Sequence, residues 1–539
     1  MKTNVSFFSF MFWLVLGSFL NSCKDPDFQN ACDLNSKINL YSNVINAVSG
    51  NGNAFCTIPL PLLSPNGQSS DPASTISLTY SKSSYVYYTD HSISNIPETK
   101  GTLTSCTINP SLPIGLSINP NTCAITGTAT AQTNTTAYEV TAASSDAIVK
   151  ATISLRIAGS SSILVYGQFG SFTCSIPNNN GSCSGGSVSA NNFNVPTGIT
   201  TDESGTLYTT DFSNSRLLSF PKDTIVATTV WGQSGSFTTN ASGTAAGNLN
   251  GPSGVAIDKN GNVYLADSTN NRVLYFPKGN TLATRVYGQL NDFTCGAVNN
   301  NGGCTSGVVS ADSLNGPSSV ALDSAGKVYI ADSGNHRVLV FPNDGSIVPI
   351  AVYGQFGSFT CGVQNQSGIC SLGPPPSANN LNFPTSVALD RNDNLYILDT
   401  SNHRVLFHPS GSTTASKVYG QNGSFSCGLS NNDGSCSSGG ASASNLNNPQ
   451  GLALDMNGNL FVADFSNNRV LFFPEATTQT ATRIYGHNKN FTCIVNDDNG
   501  SCVTGTKSAS GLNGPQRVTI DLEGNVFIAD SNNHRILKY

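Results

Sequence analysis

Charged residues are scarce in this sequence, and their scarcity limits the kinds of partner that the protein can have. They make up 10% of the 539 residues, whereas typical globular domains carry about 25%. The net charge is -6 and no basic cluster offsets it, so the charge pattern of a nucleic-acid-binding protein is absent. Gly, with 52 residues, Asn and Ser are abundant instead. This composition indicates a turn-rich β protein, long enough for two or three domains.

Motifs for enzymatic chemistry and for metal binding are lacking as well. No GxSxG, HExxH or phosphate-cradling glycine loop occurs, and the cysteines do not fall at the short spacings of a zinc site. The Asp-x-Asn-Gly-Asn stretches at 258–262 and 455–459 lack the further acidic ligands of a calcium loop, so we interpret them as hairpin turns. We therefore predict no catalytic residues, no metal and no cofactor.

Long hydrophobic runs are almost absent too. The one apolar run, residues 7–20, is shorter than the roughly 20 residues that a membrane-spanning helix needs. It leads into LNSC, ending at Cys23, which resembles the lipobox of bacterial lipoproteins apart from its asparagine. The resemblance implies a signal peptide at 1–22, lipidation of Cys23, with palmitate as a label for it, and anchoring to the cell envelope at the outer membrane or cell surface. Plain cleavage and an uncleaved anchor are the alternatives.

The fifteen cysteines also point to export. Without Cys23 fourteen remain, and ten of them form five pairs with one spacing of nine residues. Local disulfides explain this regularity better than metal ligation does, and disulfides persist in oxidising compartments. The predicted bonds are Cys174–Cys183, Cys295–Cys304, Cys361–Cys370, Cys427–Cys436 and Cys493–Cys502.

A pair of phrases repeats six times between residues 163 and 539. The first is a short VYGQ-like strand, and the second, about thirty residues later, begins at a proline. These prolines, spaced 56, 65, 67, 65 and 66 residues apart, are Pro196, Pro252, Pro317, Pro384, Pro449 and Pro515. The array opens with a VYGQ strand and ends at Tyr539 without an outer strand in the last unit. A closed ring, in which 163–168 completes the last unit, is the economical explanation.

The second phrase, spelled GVAIDKNGNVYLADSTNNRVLYFP at 254–277, resembles the NHL repeat. The resemblance extends over 163–539 and implies an all-β fold: a six-bladed NHL-type β-propeller closed by its N-terminal strand. Each unit would contribute four antiparallel strands, the first two joined by a turn such as Lys259-Asn260-Gly261. Closure would protect the sheet edges.

Residues 55–158 form a different region, and 23–54 are interpreted as a tether before it. Alternating Ser/Thr-rich segments indicate half-buried strands. The stretch from Leu112 to Thr128 resembles the LPxGLSxxxxxxxxIxGTP signature of immunoglobulin-like modules in bacterial surface proteins, with Ala129 at the final proline. The resemblance implies a β-sandwich. Cys106, which precedes the signature, and Cys123, which lies within it, are predicted to pair. This leaves Cys32 and Cys56 to each other, and 159–162 would be a hinge.

Two sets of repeated polar residues are predicted to be structural. The first is an Asp and an Arg five residues apart in every unit: Asp211/Arg216, Asp267/Arg272, Asp332/Arg337, Asp399/Arg404, Asp464/Arg469 and Asp530/Arg535. Each arginine already faces a carboxylate, so a hydrogen bond that locks a turn is favoured over an anion-binding ring. The second set, His336, His403 and His534, lies in units too far apart to ligate one zinc ion.

The segments between each VYGQ strand and the next proline are the most distinctive part of the repeat. A phenylalanine recurs in all six, and five contain the cysteine pair. The exception, 234–251, is nine residues shorter and has Thr239 in place of a cysteine. We predict that a ligand binds at this notch, against Phe237 and Asn240 and, from the flanking loops, Asn179 and Asn300.

The function predicted from these features is binding. The protein would present a disulfide-clipped loop face to a protein or glycan ligand, as a monomer, with the lipid as its only contact with the membrane and with no nucleic acid partner. A propeller enzyme of the lyase or hydrolase type and a purely structural envelope protein are the alternatives, because a fold alone does not define a function.

Overall fold

A computed structural model describes residues 76–539 except 90–91, 160–161, 372, 374 and 476–478. The chain divides into two units, 1–73 and 74–539, and only the second contains described residues. The predicted signal peptide, the tether, Cys23, Cys32 and Cys56 therefore lie outside them. Within the described part, every helical segment is a turn of three residues, and none could span a membrane.

Residues 76–159 fold into a small β-sandwich. Its strands are β1 (Ser77–Thr79), β2 (Ser84–Tyr88), β3 (Ser92–Asn95), β4 (Glu98–Lys100), β5 (Ser105–Asn109), β6 (Leu116–Ile118), β7 (Ile125–Thr128), β8 (Thr133–Ala143) and β9 (Ile148–Ala158). They form a four-stranded sheet in the order β2-β9-β8-β5, a three-stranded sheet in the order β3-β7-β6 and the pair β1-β4. Alternate side chains of β8, namely Tyr138, Val140 and Ala142, enter the core, as a half-buried strand requires.

Residues 164–539 form six four-stranded sheets whose neighbouring strands are antiparallel. The first strands are β11 (Pro196–Thr201), β15 (Pro252–Ile257), β19 (Pro317–Leu322), β23 (Pro384–Leu389), β27 (Gly451–Leu454) and β31 (Pro515–Ile520). The second strands are β12 (Leu207–Asp211), β16 (Val263–Asp267), β20 (Val328–Asp332), β24 (Leu395–Asp399), β28 (Leu460–Asp464) and β32 (Val526–Asp530). We number the sheets 1 to 6 by their first strands.

The outer half of each sheet follows a short 3-10 turn. The third strands are β13 (Arg216–Phe220), β17 (Arg272–Phe276), β21 (Arg337–Phe341), β25 (Arg404–His408), β29 (Arg469–Phe473) and β33 (Arg535–Lys538). The fourth strands are β10 (Leu164–Tyr166), β14 (Thr229–Trp231), β18 (Arg285–Tyr287), β22 (Ala351–Tyr353), β26 (Lys417–Gly420) and β30 (Arg483–Tyr485). The 3-10 turns before the third strands are Phe212–Asn214, Ser268–Asn270, Ser333–Asn335, Thr400–Asn402, Phe465–Asn467 and Ser531–Asn533, and two more follow fourth strands, at Gln233–Gly235 and Gln421–Gly423.

Sheet 6 is assembled from two distant parts of the chain. Its fourth strand is β10, which pairs with β33 in the register Leu164↔Lys538, Val165↔Leu537 and Tyr166↔Ile536. The amide of Ile163 adds a hydrogen bond to the carbonyl of Lys538 (2.7 Å). The predicted pairing of 163–168 with the last strand is therefore observed.

Hydrophobic clusters lie between neighbouring sheets, including between sheet 6 and sheet 1. In that cluster Tyr166 and Ile536 of sheet 6 pack with Leu207, Leu218 and Phe220 of sheet 1. The first strands of neighbouring sheets are in contact, again including β31 and β11. Burial of each large apolar side chain stabilises the fold by about 1.5–3 kcal/mol, so the inter-sheet clusters supply much of its stability.

The sandwich packs on the turns between first and second strands of sheets 5 and 6. Tyr88 is 1% exposed and contacts the ring edges of Phe461 and Phe472, while its hydroxyl donates to Asp455 Oδ2 (3.2 Å). The guanidinium of Arg483 lies over the Tyr88 ring and donates to the carbonyl of Gly159 (2.6 Å). Gly159 begins the predicted hinge, so this end of it is fixed to sheet 5.

Candidate binding face at the crossover segments

Six crossover segments connect the fourth strand of one sheet to the first strand of the next. They are residues 167–195, 232–251, 288–316, 354–383, 421–450 and 486–514. Pro196, which follows the first of them, pairs with Asp211, where the second strand enters the Asp-to-Arg turn. The crossover segments and these turns therefore share one end of the sheets, as predicted. We call it the crossover face, and the opposite end, where the sandwich packs, the hairpin face.

All six Asp–Arg pairs are buried on the crossover face, with side chains that are 0% exposed. In sheet 1, Arg216 Nε donates to Asp211 Oδ2 (2.8 Å), and the other five sheets repeat this bond at 2.7 Å. Asp211 Oδ1 also accepts from the amide of Asn194 (2.7 Å). The predicted turn-locking bond is confirmed.

Each arginine does more than lock its turn, because it holds two crossover segments. Arg216 Nη2 donates to the carbonyls of Ser189 and Asn192 (2.9 and 2.8 Å), in the segment that enters sheet 1. Its Nη1 donates to the carbonyl of Phe237 (2.8 Å), in the segment that leaves sheet 1. The phenylalanine carbonyls bound in this way are those of Phe172, Phe237, Phe293, Phe359, Phe425 and Phe491.

This link was missed from the sequence, although both partners recur in every unit. Five of the arginines precede the phenylalanine that they bind by 21 or 22 residues, and that constant spacing was the available signal. Burial raises the pKa of the carboxyls of Asp211, Asp267, Asp332 and Asp530, and the neighbouring arginine opposes the rise. Since every one of these charges is paired inside the protein, they do not form an anion-binding ring.

The glutamine of each VYGQ strand fastens the beginning of its crossover segment. Gln289 Nε2, for example, donates to the carbonyls of Asn271 and Ala297 (both 2.9 Å). In sheet 5 the equivalent residue is His487, whose Nε2 lies 2.8 Å from the carbonyl of Asn467 and whose Nδ1 lies 3.6 Å from Asp498 Oδ2. Burial lowers the pKa of His487.

His487, Cys493 and Asp498 are close enough together to resemble a metal site. The sulfur of Cys493 is bonded to Cys502, so the cluster offers two donor atoms, fewer than the three or four protein ligands of a zinc site. We interpret His487 in this cluster as a replacement for the glutamine that hydrogen-bonds the beginning of the other crossover segments.

The five predicted disulfides of the crossover segments, which we call clips, are present. Disulfides join Cys174–Cys183, Cys295–Cys304, Cys361–Cys370, Cys427–Cys436 and Cys493–Cys502, and the sandwich contains the predicted Cys106–Cys123 bond. Among the described residues all twelve cysteines are paired, as is typical of an extracellular or periplasmic protein. The segment 232–251, which we call the short segment, contains no cysteine.

The short segment is held as firmly as its clipped neighbours. Gln233 Nε2 donates to the carbonyl of Ala241 (2.8 Å), and Asn270 Nδ2 donates to that of Gly243 (2.8 Å). In the clipped segments the residue equivalent to Asn270 bonds to a side chain instead, as Asn335 does to Asn299 Oδ1 (2.8 Å). The carbonyl of Gly243 thus replaces the side-chain acceptor that the clipped segments provide, and the segment reaches sheet 2 by a shorter path.

The four residues predicted to bind a ligand do not share one surface. Asn240 is exposed, whereas Phe237 is half-buried against the cluster between sheets 6 and 1. Asn179 and Asn300 are 1% and 4% exposed. Their side-chain oxygens accept from the amides of Gly181 and Gly302 (both 3.0 Å), so they stabilise the tips of their own loops.

The three histidines beside the arginines fasten neighbouring sheets. Nδ1 of His336, His403 and His534 accepts from the amide that precedes the first strand of the next sheet, at 3.0, 2.8 and 3.0 Å. Asn271 makes the same bond to the amide of Gly316 (2.8 Å). Burial lowers the pKa of all three imidazoles, which agrees with an unprotonated Nδ1 that accepts a hydrogen bond.

Comparison with known families agrees with this architecture. The family model "Teneurin NHL domain" matches residues 294–538, "NHL repeat" matches 249–276 and "Putative Ig domain" matches 66–158. No curated protein matches the chain. The chain thus contains an NHL-type propeller and an immunoglobulin-like module, as the sequence predicted.

Solved structures with a similar fold are distant in sequence. A protein of unknown function from Bacteroides thetaiotaomicron is 14% identical with a TM-score of 0.46, covering 87% of this chain and 98% of its own. A streptogramin B lyase is 14% identical with a TM-score of 0.36 (64% and 93%). A gluconolactonase from Xanthomonas campestris is 12% identical with a TM-score of 0.37 (64% and 86%).

Proposed function

We propose that this protein is an exported binding module in which six sheets close into a six-bladed propeller and a ligand docks at the short segment of the crossover face. Two features support closure. β10 completes sheet 6 from the other end of the repeat array, and the hydroxyl of Ser531 in sheet 6 donates to the carbonyl of Pro196 in sheet 1 (2.5 Å). Equivalent bonds join sheets 3 and 4 and sheets 4 and 5, from Ser333 and Thr400.

The observation that carries the binding proposal is that the short segment is both shorter and fully bonded. A loop that had merely lost its clip would retain its length. Here nine residues are missing, and Gly243 compensates by bonding to Asn270. The gap among the clipped loops is therefore rigid and exists before any ligand arrives, so little ordering entropy is lost on binding.

The chemistry of the gap favours an uncharged ligand. Residues 234–251 contain no charged side chain, and the exposed polar side chains near their tip are Thr238, Thr239, Asn240 and Ser242. Hydroxyl and amide groups recognise the hydroxyls of a sugar or the backbone of an extended peptide. We therefore propose a glycan or protein ligand that contacts Asn240 and the edge of Phe237, while Asn179 and Asn300 support the flanking loops from inside.

Exchange of the short segment tests this proposal. A chimera that carries the clipped sequence 290–316 in place of 234–251 keeps the partners of Arg216 and Arg272 but fills the gap. We expect glycan and peptide arrays to show a ligand for the intact protein and none for the chimera, with similar melting temperatures. Equal binding by the two proteins would overturn the proposed site, and a control exchange of 290–316 for another clipped segment, 356–383, should leave binding unchanged.

We further propose that Cys23 is lipidated and anchors the protein to the cell envelope. The lipobox-like sequence and the disulfides support export. The immunoglobulin-like module occupies the hairpin face of sheets 5 and 6, which leaves the crossover face free of it. Cys23→Ser should abolish palmitate labelling and release the protein from membranes, whereas unlabelled wild-type protein that sediments with membranes would contradict lipidation.

A further inference from the structure

One part-buried arginine differs from the six that hold the crossover segments. Counted from the repeated proline at or just before each first strand, it occupies the third position, where the other sheets have the smallest residues. The residues at this position are Gly198, Gly254, Ser319, Ser386, Gly451 and Arg517. The first strands of all six sheets line one axial cavity, and the side chain of Arg517 is the single charged group in that lining.

The guanidinium of Arg517 reaches across the cavity from sheet 6. Its Nη2 donates to the carbonyls of Ser318 in sheet 3 (3.0 Å) and Thr385 in sheet 4 (2.8 Å). Its Nη1 donates to the carbonyls of Gln450 in sheet 5 and Gln516 (3.3 Å for the latter). All four acceptors directly follow the repeated proline of their sheet, so Arg517 closes the cavity near the crossover face.

No carboxylate of the described chain compensates this charge. Each of the six arginines that hold the crossover segments bonds to an aspartate, whereas the acceptors of Arg517 are neutral carbonyls. Desolvation, with no charged neighbour, lowers the pKa of Arg517 to about 10, so the group stays protonated at neutral pH. A charge partly withdrawn from water without a counter-ion costs free energy, and an anion that enters the cavity would reduce this cost.

Small side chains line the cavity below Arg517. Its volume is about 260 Å³. Part-buried side chains at the fifth position of the same count form its middle layer: Thr200, Ala256, Ala321, Ala388, Ala453 and Thr519. The methyl groups of four alanines and the side chains of two threonines surround a space smaller than the roughly 300–1,000 Å³ of pockets for drug-sized ligands. A compact ligand with a short hydrocarbon chain matches this lining.

We propose that the axial cavity binds a small carboxylate with a short hydrocarbon chain, its carboxylate on Arg517 and its chain against the alanines of the first strands. The guanidinium would exchange carbonyl contacts for a charge-assisted pair of hydrogen bonds with the carboxylate. The chain would displace water from the alanine methyl groups. This site is separate from the short segment and does not depend on the function proposed for it.

Calorimetric titration of the intact protein with hexanoate tests the proposal. We expect saturable binding of one hexanoate per chain. Arg517→Ser, which introduces the residue found in sheets 3 and 4, should weaken binding by roughly tenfold or more, the effect of losing about 1.4 kcal/mol. Hexan-1-ol, which has the same chain without the charge, should bind correspondingly weakly. Ser386→Gly alters the same position in sheet 4 and should leave the affinity unchanged.

A second variant keeps the test decisive if Arg517→Ser fails to fold. Ala388→Leu leaves Arg517 in place and fills the part of the cavity that would hold the hydrocarbon chain, so hexanoate binding should fall while acetate binding is retained. No binding of hexanoate to the wild type, equal binding of hexan-1-ol, or undiminished affinity in both variants would each overturn the proposal.

Discussion

The short segment 232–251 and the clipped segment 288–316 are neighbours on the crossover face, and they differ in the disulfide and in length. Their anchoring is the same. Asn250 donates its amide to Asp267 Oδ1 and Asn315 donates its amide to Asp332 Oδ1, both at 2.7 Å. Arg216 and Arg272 bind the backbone at the two ends of the short segment, and Arg272 and Arg337 bind it at the two ends of 288–316. The buried arginine network, which is common to all six segments, therefore orders the crossover face, and the clips shape the loop tips.

The free energies expected for a buried ion pair and for a disulfide support this division of roles. Removal of one partner from a buried ion pair costs about 3–5 kcal/mol because the other charge is left unpaired. A disulfide that closes a loop of ten residues contributes about 2.5–3 kcal/mol in the chain-entropy model. The arginine thus contributes more to the free energy of unfolding at each segment. It also connects two segments, whereas a clip closes a loop within one segment.

The largest expected effect comes from removing β10, the strand that precedes the first crossover segment. A chain that starts at residue 169 lacks the buried Val165 and Tyr166 and the hydrogen bonds of Gln168, a loss of roughly 6 kcal/mol or more. Compared with a chain that starts at 159, it should aggregate or melt far lower. Both chains lack the immunoglobulin-like module, so its contacts affect them equally; identical melting curves would show that β10 does not close the ring.

Removal of an arginine sharpens the comparison of clipped and unclipped segments. Arg272→Leu, at the short segment, and Arg337→Leu, between two clipped segments, should each lower the free energy of unfolding by about 3–5 kcal/mol. Chemical denaturation of both variants measures the two values. A much smaller loss for Arg337→Leu would mean that the clips share the anchoring role with the arginines.

Removal of one clip should have a smaller and more local effect. Cys295→Ser combined with Cys304→Ser should cost at most about 2.5–3 kcal/mol. Thermal unfolding should stay cooperative, and limited proteolysis should cut at the exposed tip around 301–306 before any other segment. A protein that no longer folds without this clip would show that the disulfides hold the propeller together.

The smallest expected effect is a dependence on pH. Nδ1 of His336, His403 and His534 has to be unprotonated to accept its hydrogen bond, and burial lowers their pKa values. The native state therefore binds fewer protons than the unfolded state, and stability present above pH 6.5 is lost as the pH falls through the lowered pKa values.

A histidine-to-asparagine triple variant is the matched control for this dependence. Asn271 and Asn468 make the same bond in sheets 2 and 5, so the variant should keep the fastening and lose part of the acid sensitivity. Melting temperatures between pH 7 and pH 5 measure the difference. Identical pH profiles for wild type and variant would contradict the assignment.

Local patterns predicted much of this structure. Period-two alternation, turn residues and equal spacing gave the strands and five clips, because those features depend on neighbours in sequence. The bond from Arg216 to Phe237 was missed because it depends on where a crossover segment passes in space. Burial of Asn179 and Asn300 was missed for the same reason: an Asn in a Gly-rich tip faces inward when its own backbone supplies donors. The contact of Tyr88 with sheet 5 and the unpaired charge of Arg517 also required the assembled fold.

Hydrogen exchange with the clips opened by a thiol reductant tests most directly whether the arginine network orders the crossover face. The amides of Asn315 and Gly316, bound to Asp332 and Asn271, should stay as protected after reduction as the amide of Asn250 in the short segment. On the crossover face, exchange should rise only in the five clipped tips, such as the one between Cys295 and Cys304. Loss of protection at Asn315 on reduction, with Asn250 unchanged, would contradict this role of the arginines and assign the order of the face to its disulfides.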